Sequence, residues 1–185
     1  MKQTLYVKYN SLRRPEYQVA TYVIQQDEVK YVEKRPQILE ARNHIETIKG
    51  NYEKLSNLYK SIELIKCTEL GDSLRFVFVK GEGLVDKVDF ASLELRELVE
   101  ELTPVINRIL DVKEEYIVPF EVTEDFLKTF PKSKPRSGIK AMSLSNLDSI
   151  LSNFIIVGST LTCIDYEWVL DFPIPVDFIK YRILI

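Results

Sequence analysis

Ser145-Asn146-Leu147-Asp148-Ser149-Ile150-Leu151-Ser152-Asn153-Phe154-Ile155-Ile156-Val157-Gly158-Ser159-Thr160-Leu161-Thr162-Cys163-Ile164-Asp165-Tyr166-Glu167 is the stretch on which the fold turns. Two short apolar runs, 154–157 and 161–164, flank the turn Gly158-Ser159-Thr160 and predict a β-hairpin. Acidic and amide residues stand at both of its ends: Asp148 and Asn153 enter it, and Asp165 leaves it. A hairpin brings its two ends together, so Asn153 and Asp165 are expected side by side. Two oxygen ligands on adjacent strand ends suit Mg2+, which takes few protein ligands and fills its shell with phosphate oxygens.

Working outward, residues 4–9 alternate, with Leu5 and Val7 expected on one side and Tyr6 and Lys8 on the other. Residues 17–24 are rich in β-branched and aromatic side chains, and 29–34 repeat the pattern, so three strands joined by polar turns form an antiparallel meander. A helix is predicted over 37–60, because Ile38, Ala41, Ile45, Ile48, Tyr52, Leu55 and Tyr59 recur at helical spacing. Gly50 is its soft spot. Strands at 62–70 and 74–79 flank the turn Gly71-Asp72-Ser73. A five-stranded antiparallel sheet with one helix laid on it is the natural assembly. Lys80-Gly81-Glu82-Gly83 reads as the loosest point, and it divides a lobe at 1–80 from one at 81–185. In the second lobe a helix is predicted over 89–110, which Pro104 kinks or Thr103-Pro104 restarts. Thr123 caps a short helix that Pro131 ends.

The composition narrows the function. The chain has 185 residues, 45% hydrophobic and 29% charged, with a formal charge of -3, which is the balance of a globular protein without a cationic field for nucleic acid. A single histidine, His44, excludes His-Glu-x-x-His zinc proteases and argues against a Ser-His-Asp hydrolase. Cys67 and Cys163 match no metal spacing and read as reduced thiols of a cytoplasmic protein. The first residues lack the apolar run of a signal peptide, and no stretch approaches the roughly 20 apolar residues of a membrane span.

Asp-x4-Asn, a hairpin and then Ile164-Asp165-Tyr166-Glu167 together resemble the catalytic segment of the protein-kinase-like superfamily, in its aminoglycoside and choline kinase branch. The resemblance implies an α+β fold: a kinase-like, five-stranded antiparallel N-lobe with one helix, and a reduced helical C-lobe carrying a metal-site hairpin at 148–167. It implies ATP and Mg2+ as cofactors. Asp148 would then handle the proton of the substrate hydroxyl, and Asn153 and Asp165 would hold Mg2+. Lys34, at the end of the third strand, would contact the α and β phosphates. The helix should offer Lys34 a glutamate, for which Glu46 and Glu53 are both candidates.

A narrower resemblance runs through Tyr6-Val7-Lys8-Tyr9, Val32-Glu33-Lys34-Arg35, Ser145-Asn146-Leu147-Asp148 and the tail 164–178. These look like a bacterial domain joined to glycosyltransferase or methyltransferase modules in cell-surface polysaccharide synthesis, and the resemblance implies such modules as partners. Three features depart from an active kinase. No glycine joins the first two strands, Asn146 stands where the pattern has histidine, and 20 residues follow Asp165. The chain therefore reads as a piece of a longer protein or as a domain completed by a partner. Two functions follow: a phosphotransferase, live or degenerate, acting on a small hydroxyl compound or a sugar, or a non-catalytic scaffold that docks transferase modules.

Overall fold

The computed structural model describes residues 1–88, 90 and 92–184. Along the chain come β1 (Lys2–Tyr9), β2 (Val19–Gln26), β3 (Val29–Pro36) and α1 (Arg42–Leu55). Next are β4 (Glu63–Leu64), β5 (Cys67–Leu70), β6 (Ser73–Val77), β7 (Glu82–Gly83), α2 (Leu84–Lys87) and α3 (Leu95–Ile109). Then follow β8 (Ile117–Pro119), α4 (Glu124–Thr129), β9 (Lys140–Met142) and β10 (Ser145–Asn146). The chain closes with β11 (Phe154–Val157), β12 (Thr160–Cys163), β13 (Val169–Leu170), β14 (Ile174–Pro175) and α5 (Val176–Leu184). It divides into two compact units, Met1–Glu53 with Ile65–Lys80, and Lys54–Leu64 with Gly81–Ile185.

The first unit is a five-stranded sheet in the order β1-β2-β3-β6-β5, antiparallel throughout. Leu5 breaks the expected alternation of β1. The register jumps from Thr4 to Tyr6, so Leu5 bulges out and is 43% exposed. Val19, Ile24, Leu74 and Phe76 of the sheet and Ile45 and Ile48 of α1 are buried. Ion pairs from Arg42 to Asp72 and from Lys49 to Glu69 tie the helix to the β5–β6 hairpin. The predicted helix at 37–60 is shorter in fact. A single 3-10 turn at Leu39–Ala41 precedes α1, and Ile38 is extended. At the other end Leu58 turns back onto the Leu55 carbonyl, and Tyr59 lies beyond the helix in a β-bridge with Val112.

Glu33 of β3 has 0% exposure. It lies opposite Tyr22 and Arg75, and accepts hydrogen bonds from Arg75 at 3.1 and 2.7 Å and from Arg35. Burial pushes its carboxyl up, but the hydrogen bonds from Arg35 and Arg75 outweigh that and hold it below the usual range. The guanidinium groups are in turn stacked on rings, Arg35 on Tyr22 at 4.4 Å and Arg75 on Tyr31 at 4.5 Å. This face of the sheet is thus closed by a layer of charge and aromatic rings.

The second unit is built on a four-stranded sheet in the order β4-β12-β11-β7, with β4 parallel to β12. The strand predicted at 62–70 is therefore two strands. Glu63 and Leu64 pair with β12 here, whereas Cys67–Leu70 pairs with β6 in the first unit. A three-stranded sheet, β14-β9-β8, and the pair β10-β13 complete the β structure. The helix predicted over 89–110 begins at Leu95, where Glu94 and Glu97 form a reciprocal capping box. Asp89 and Ala91 lie outside the described residues. Pro104 sits inside one continuous helix, and the Thr103 hydroxyl beside it donates to the Val99 carbonyl at 2.6 Å. Thr123 caps α4 by accepting from the Phe126 N–H at 3.1 Å. No helix among the described residues is long and apolar enough to cross a membrane.

Candidate functional site

The hairpin β11–β12 pairs Phe154 with Cys163 through to Val157 with Thr160, across a turn in which Gly158 has φ 62°. Most L side chains avoid that backbone, so glycine suits the turn. The ladder continues one step past the strands, because the Ile164 N–H donates to the Asn153 carbonyl at 2.9 Å. Asn153 therefore stands opposite Ile164 and one residue from Asp165.

Asp148 joins them through its backbone. The Asn153 side-chain amide donates to the Asp148 carbonyl at 2.9 Å. The carboxylate of Asp148 accepts from the Trp168 N–H at 2.9 Å, while the Leu147 N–H donates to the Trp168 carbonyl at 2.8 Å. Asp148, Asn153 and Asp165 are all half-buried. The loop from 146 to 153 and the strand exit at 165–168 are thus one hydrogen-bonded assembly.

Its centre is Asn146, which is 2% exposed. The amide nitrogen donates to the Asp165 carbonyl at 3.1 Å and to the Cys163 sulfur at 3.7 Å, and the amide oxygen accepts from the Asp148 N–H at 3.0 Å. In the sequence Asn146 appears only as a departure from histidine. In the structure one amide, donor and acceptor at once, braces both aspartates. Beneath it, the Tyr59 hydroxyl meets Ser149 at 3.2 Å, and burial pushes the phenol well above its ordinary value. Further along the same unit Asp171 pairs with Lys54 at 2.7 Å, and the lysine holds its carboxyl below the usual range.

Lys34 belongs to the first unit. It lies inside β3, two residues before its end, opposite Thr21 and Leu74, and is 5% exposed. Glu46 and Glu53 both stand on exposed positions of α1. Glu46 borders a 170 Å3 cleft with Arg42, Lys49 and Glu69.

The donor set suits a hard cation. The Asn153 amide nitrogen is committed to the Asp148 carbonyl, which leaves its side-chain oxygen as the acceptor of the pair. No group of three or more His, Cys, Asp and Glu able to hold a metal occurs among the described residues. An Asn and an Asp oxygen, completed by phosphate oxygens, are the kind of site Mg2+ accepts.

No protein-family model and no curated protein matches the sequence. Among solved structures, the streptomycin–ATP ternary complex of APH(2'')-IIa superposes with a TM-score of 0.57 at 13% identity, covering 98% of this chain and 78% of that one. The fold is protein-kinase-like. The five-stranded antiparallel sheet with α1 is its N-lobe, and the second unit is a reduced C-lobe. Macrolide 2'-phosphotransferase MphH from Brachybacterium faecium aligns at 10% identity with a TM-score of 0.46, over 90% of this chain and 67% of that one. The ADP-bound aminoglycoside phosphotransferase APH(2'')-Ib aligns at 14% and 0.46, over 98% and 77%. At such identities the likeness is one of fold, and the first superposition carries it.

Proposed function

We propose that this chain is an ATP- and Mg2+-dependent phosphotransferase, or a degenerate relative that keeps its nucleotide site, acting in the cytoplasm on a small hydroxyl compound or a sugar. The observation that carries the reading is the Asn153 amide bonded to the Asp148 carbonyl one step from Asp165. In this reading residues 1–80 are the nucleotide lobe, and 81–185 the reduced lobe with its metal hairpin at 148–167. Asp148 takes the proton of the acceptor hydroxyl, and the Trp168 N–H on its Oδ2 sets the orientation of the carboxylate. Asn153 and Asp165 hold the metal, and Lys34 meets the α and β phosphates. Mg2+, when bound, supplies charge neutralisation at the transferring phosphate. The chain's own contribution is positioning and fixed dipoles. A role in bacterial cell-surface polysaccharide synthesis rests on the narrower resemblance through 6–9, 32–35, 145–148 and the tail 164–178 alone.

Thermal unfolding with and without ATP and Mg2+ tests this reading. A ligand at 100 times its Kd adds about 2.7 kcal/mol, which is several degrees in a domain of this size. The native chain should show that shift only with both ligands, and Asp165→Ala should lose it. Asp148→Ala should keep the shift and lose turnover. No shift in the native chain would sink the nucleotide site.

A second reading is a scaffold docking glycosyltransferase or methyltransferase modules. The β1–β2 connection favours it. This connection has no glycine, and Gln18 locks it by donating to the Ser11 and Arg13 carbonyls at 3.2 and 2.9 Å. Its backbone is spent on its own turn. A scaffold would tolerate both aspartate changes and lose partner binding with changes at Trp168 or Phe178.

A further inference from the structure

The second unit contains a cavity of about 620 Å3. Around it stand Arg108 and Asp111 at the end of α3, Lys140 of β9, and Asp177 and Lys180 of α5, over an apolar floor that includes Met142. The two carboxylates have their own partners. Asp111 accepts from the Ser61 hydroxyl and faces Lys60 at 3.9 Å, and Asp177 pairs with Lys180 at 3.4 Å. Arg108 is different: its guanidinium donates to the Ser61 and Ser159 carbonyls, both at 3.2 Å. Those bonds fix the fork without neutralising it. Lys140 is exposed. Among the described residues neither Arg108 nor Lys140 forms an ion pair.

Two uncompensated cations in one concavity are notable in a chain of net charge -3. A fixed guanidinium and an exposed ammonium lining one cavity suit a dianion, and a phosphate ester carries about -1.5 to -2 at neutral pH. The volume falls in the range of about 300–1,000 Å3 used by small-molecule sites. The apolar floor and the Asn107 amide suit one face and the hydroxyls of a ring. We propose that this cavity binds a small phosphorylated compound of sugar size, with its phosphate between Arg108 and Lys140.

The site is separate from the one proposed for nucleotide. Arg108 holds the carbonyl of Ser159 in the hairpin turn, whereas Asn153 and Asp165 are at the hairpin's other end. Strands of four residues place the two ends about 13 Å apart. Binding here needs neither ATP nor Mg2+, so this proposal and the phosphotransferase reading fail independently.

Isothermal titration of the full chain in EDTA, without nucleotide, is the test, with glucose 1-phosphate, inorganic phosphate and glucose as the three probes. Glucose 1-phosphate should bind, inorganic phosphate should bind more weakly, and glucose should not bind. Added salt should weaken the two anions. Lys140→Met should weaken glucose 1-phosphate about tenfold or more at an unchanged melting temperature, since Lys140 is exposed and holds no partner, and Lys140→Arg should restore it. Failure of both anions to bind at millimolar concentration would overturn the proposal. So would binding that Lys140→Met leaves unchanged, or amide NMR shifts on titration that cluster at 146–168 instead of at 107–111 and 140–142.

Discussion

Asn146 holds three hydrogen bonds with one buried side chain. Histidine in its place would change protonation near neutral pH, whereas an amide offers the same donor and acceptor at every pH. Removing it has unequal consequences at its two ends. The Asp165 carbonyl keeps the Cys163 thiol as a weak donor at 3.1 Å, but the Asp148 N–H loses the amide oxygen it donates to. Asn146→Ala should therefore lower stability by about 1–3 kcal/mol, the cost of a buried polar group left without its partner. A urea unfolding midpoint reads this directly, and a midpoint equal to that of the native chain would show that the brace carries no energy. The hairpin was legible in the sequence, because apolar runs on either side of a glycine turn dictate which segments pair. Asn146 was not. Its role depends on β10 pairing with β13, and strands of two residues leave no periodic trace.

Two glycines illustrate how element-level reading succeeds and fails. Gly50 is inside α1, and a Cβ built there would meet nothing within 4 Å. Gly50→Ala should stabilise the chain by about 0.5–1 kcal/mol, through helix propensity and a less free unfolded state. Gly81 looks just as soft in the sequence, next to Lys80 and Gly83. Yet it leads into β7, which pairs with β11 through Gly83 and Ile155, and a Cβ on Gly81 would overlap the Ile156 carbonyl oxygen. That oxygen is backbone and cannot swing aside, so Gly81→Ala should cost about 1–3 kcal/mol. Melting temperatures of the two variants should move in opposite directions, and a shared direction would refute the account of Gly81. Composition alone does not separate these glycines, since the difference lies in what approaches from another strand. The same limit explains the strand predicted at 62–70. No glycine or proline interrupts it, and only the partners reveal that β4 and β5 belong to different sheets.

On the scale of the whole molecule, the chain passes between its two units at 53/54, 64/65 and 80/81. The five-stranded sheet was legible because its strands are long and follow one another closely. In the second unit only the β11–β12 hairpin was legible, because the strands that complete its sheets have two or three residues and pair with partners distant in sequence. Segment Lys54–Leu64 is the least local piece of that unit. Within it, Glu63 and Leu64 add β4 alongside β12, Leu58 is fully buried, and Tyr59 bridges Val112. The Lys60 N–H donates to the Asp111 carbonyl at 2.9 Å, and the Lys113 N–H to the Leu58 carbonyl at 3.0 Å. A fragment of residues 81–185 would leave the inner edge of β12 unpaired and an apolar hole where Leu58 sat. Burial of a leucine side chain is worth about 1.5–3 kcal/mol, and a domain has only about 5–15 kcal/mol in all. The 81–185 fragment should therefore give a broad, weakly cooperative melt and poor near-ultraviolet dichroism, while 54–185 should melt sharply. Adding a peptide of residues 54–64 to the shorter fragment should restore the cooperative transition in proportion to its concentration. A sharp, native-like melt for 81–185 alone would mean that β4 and Leu58 decorate this unit and do not build it.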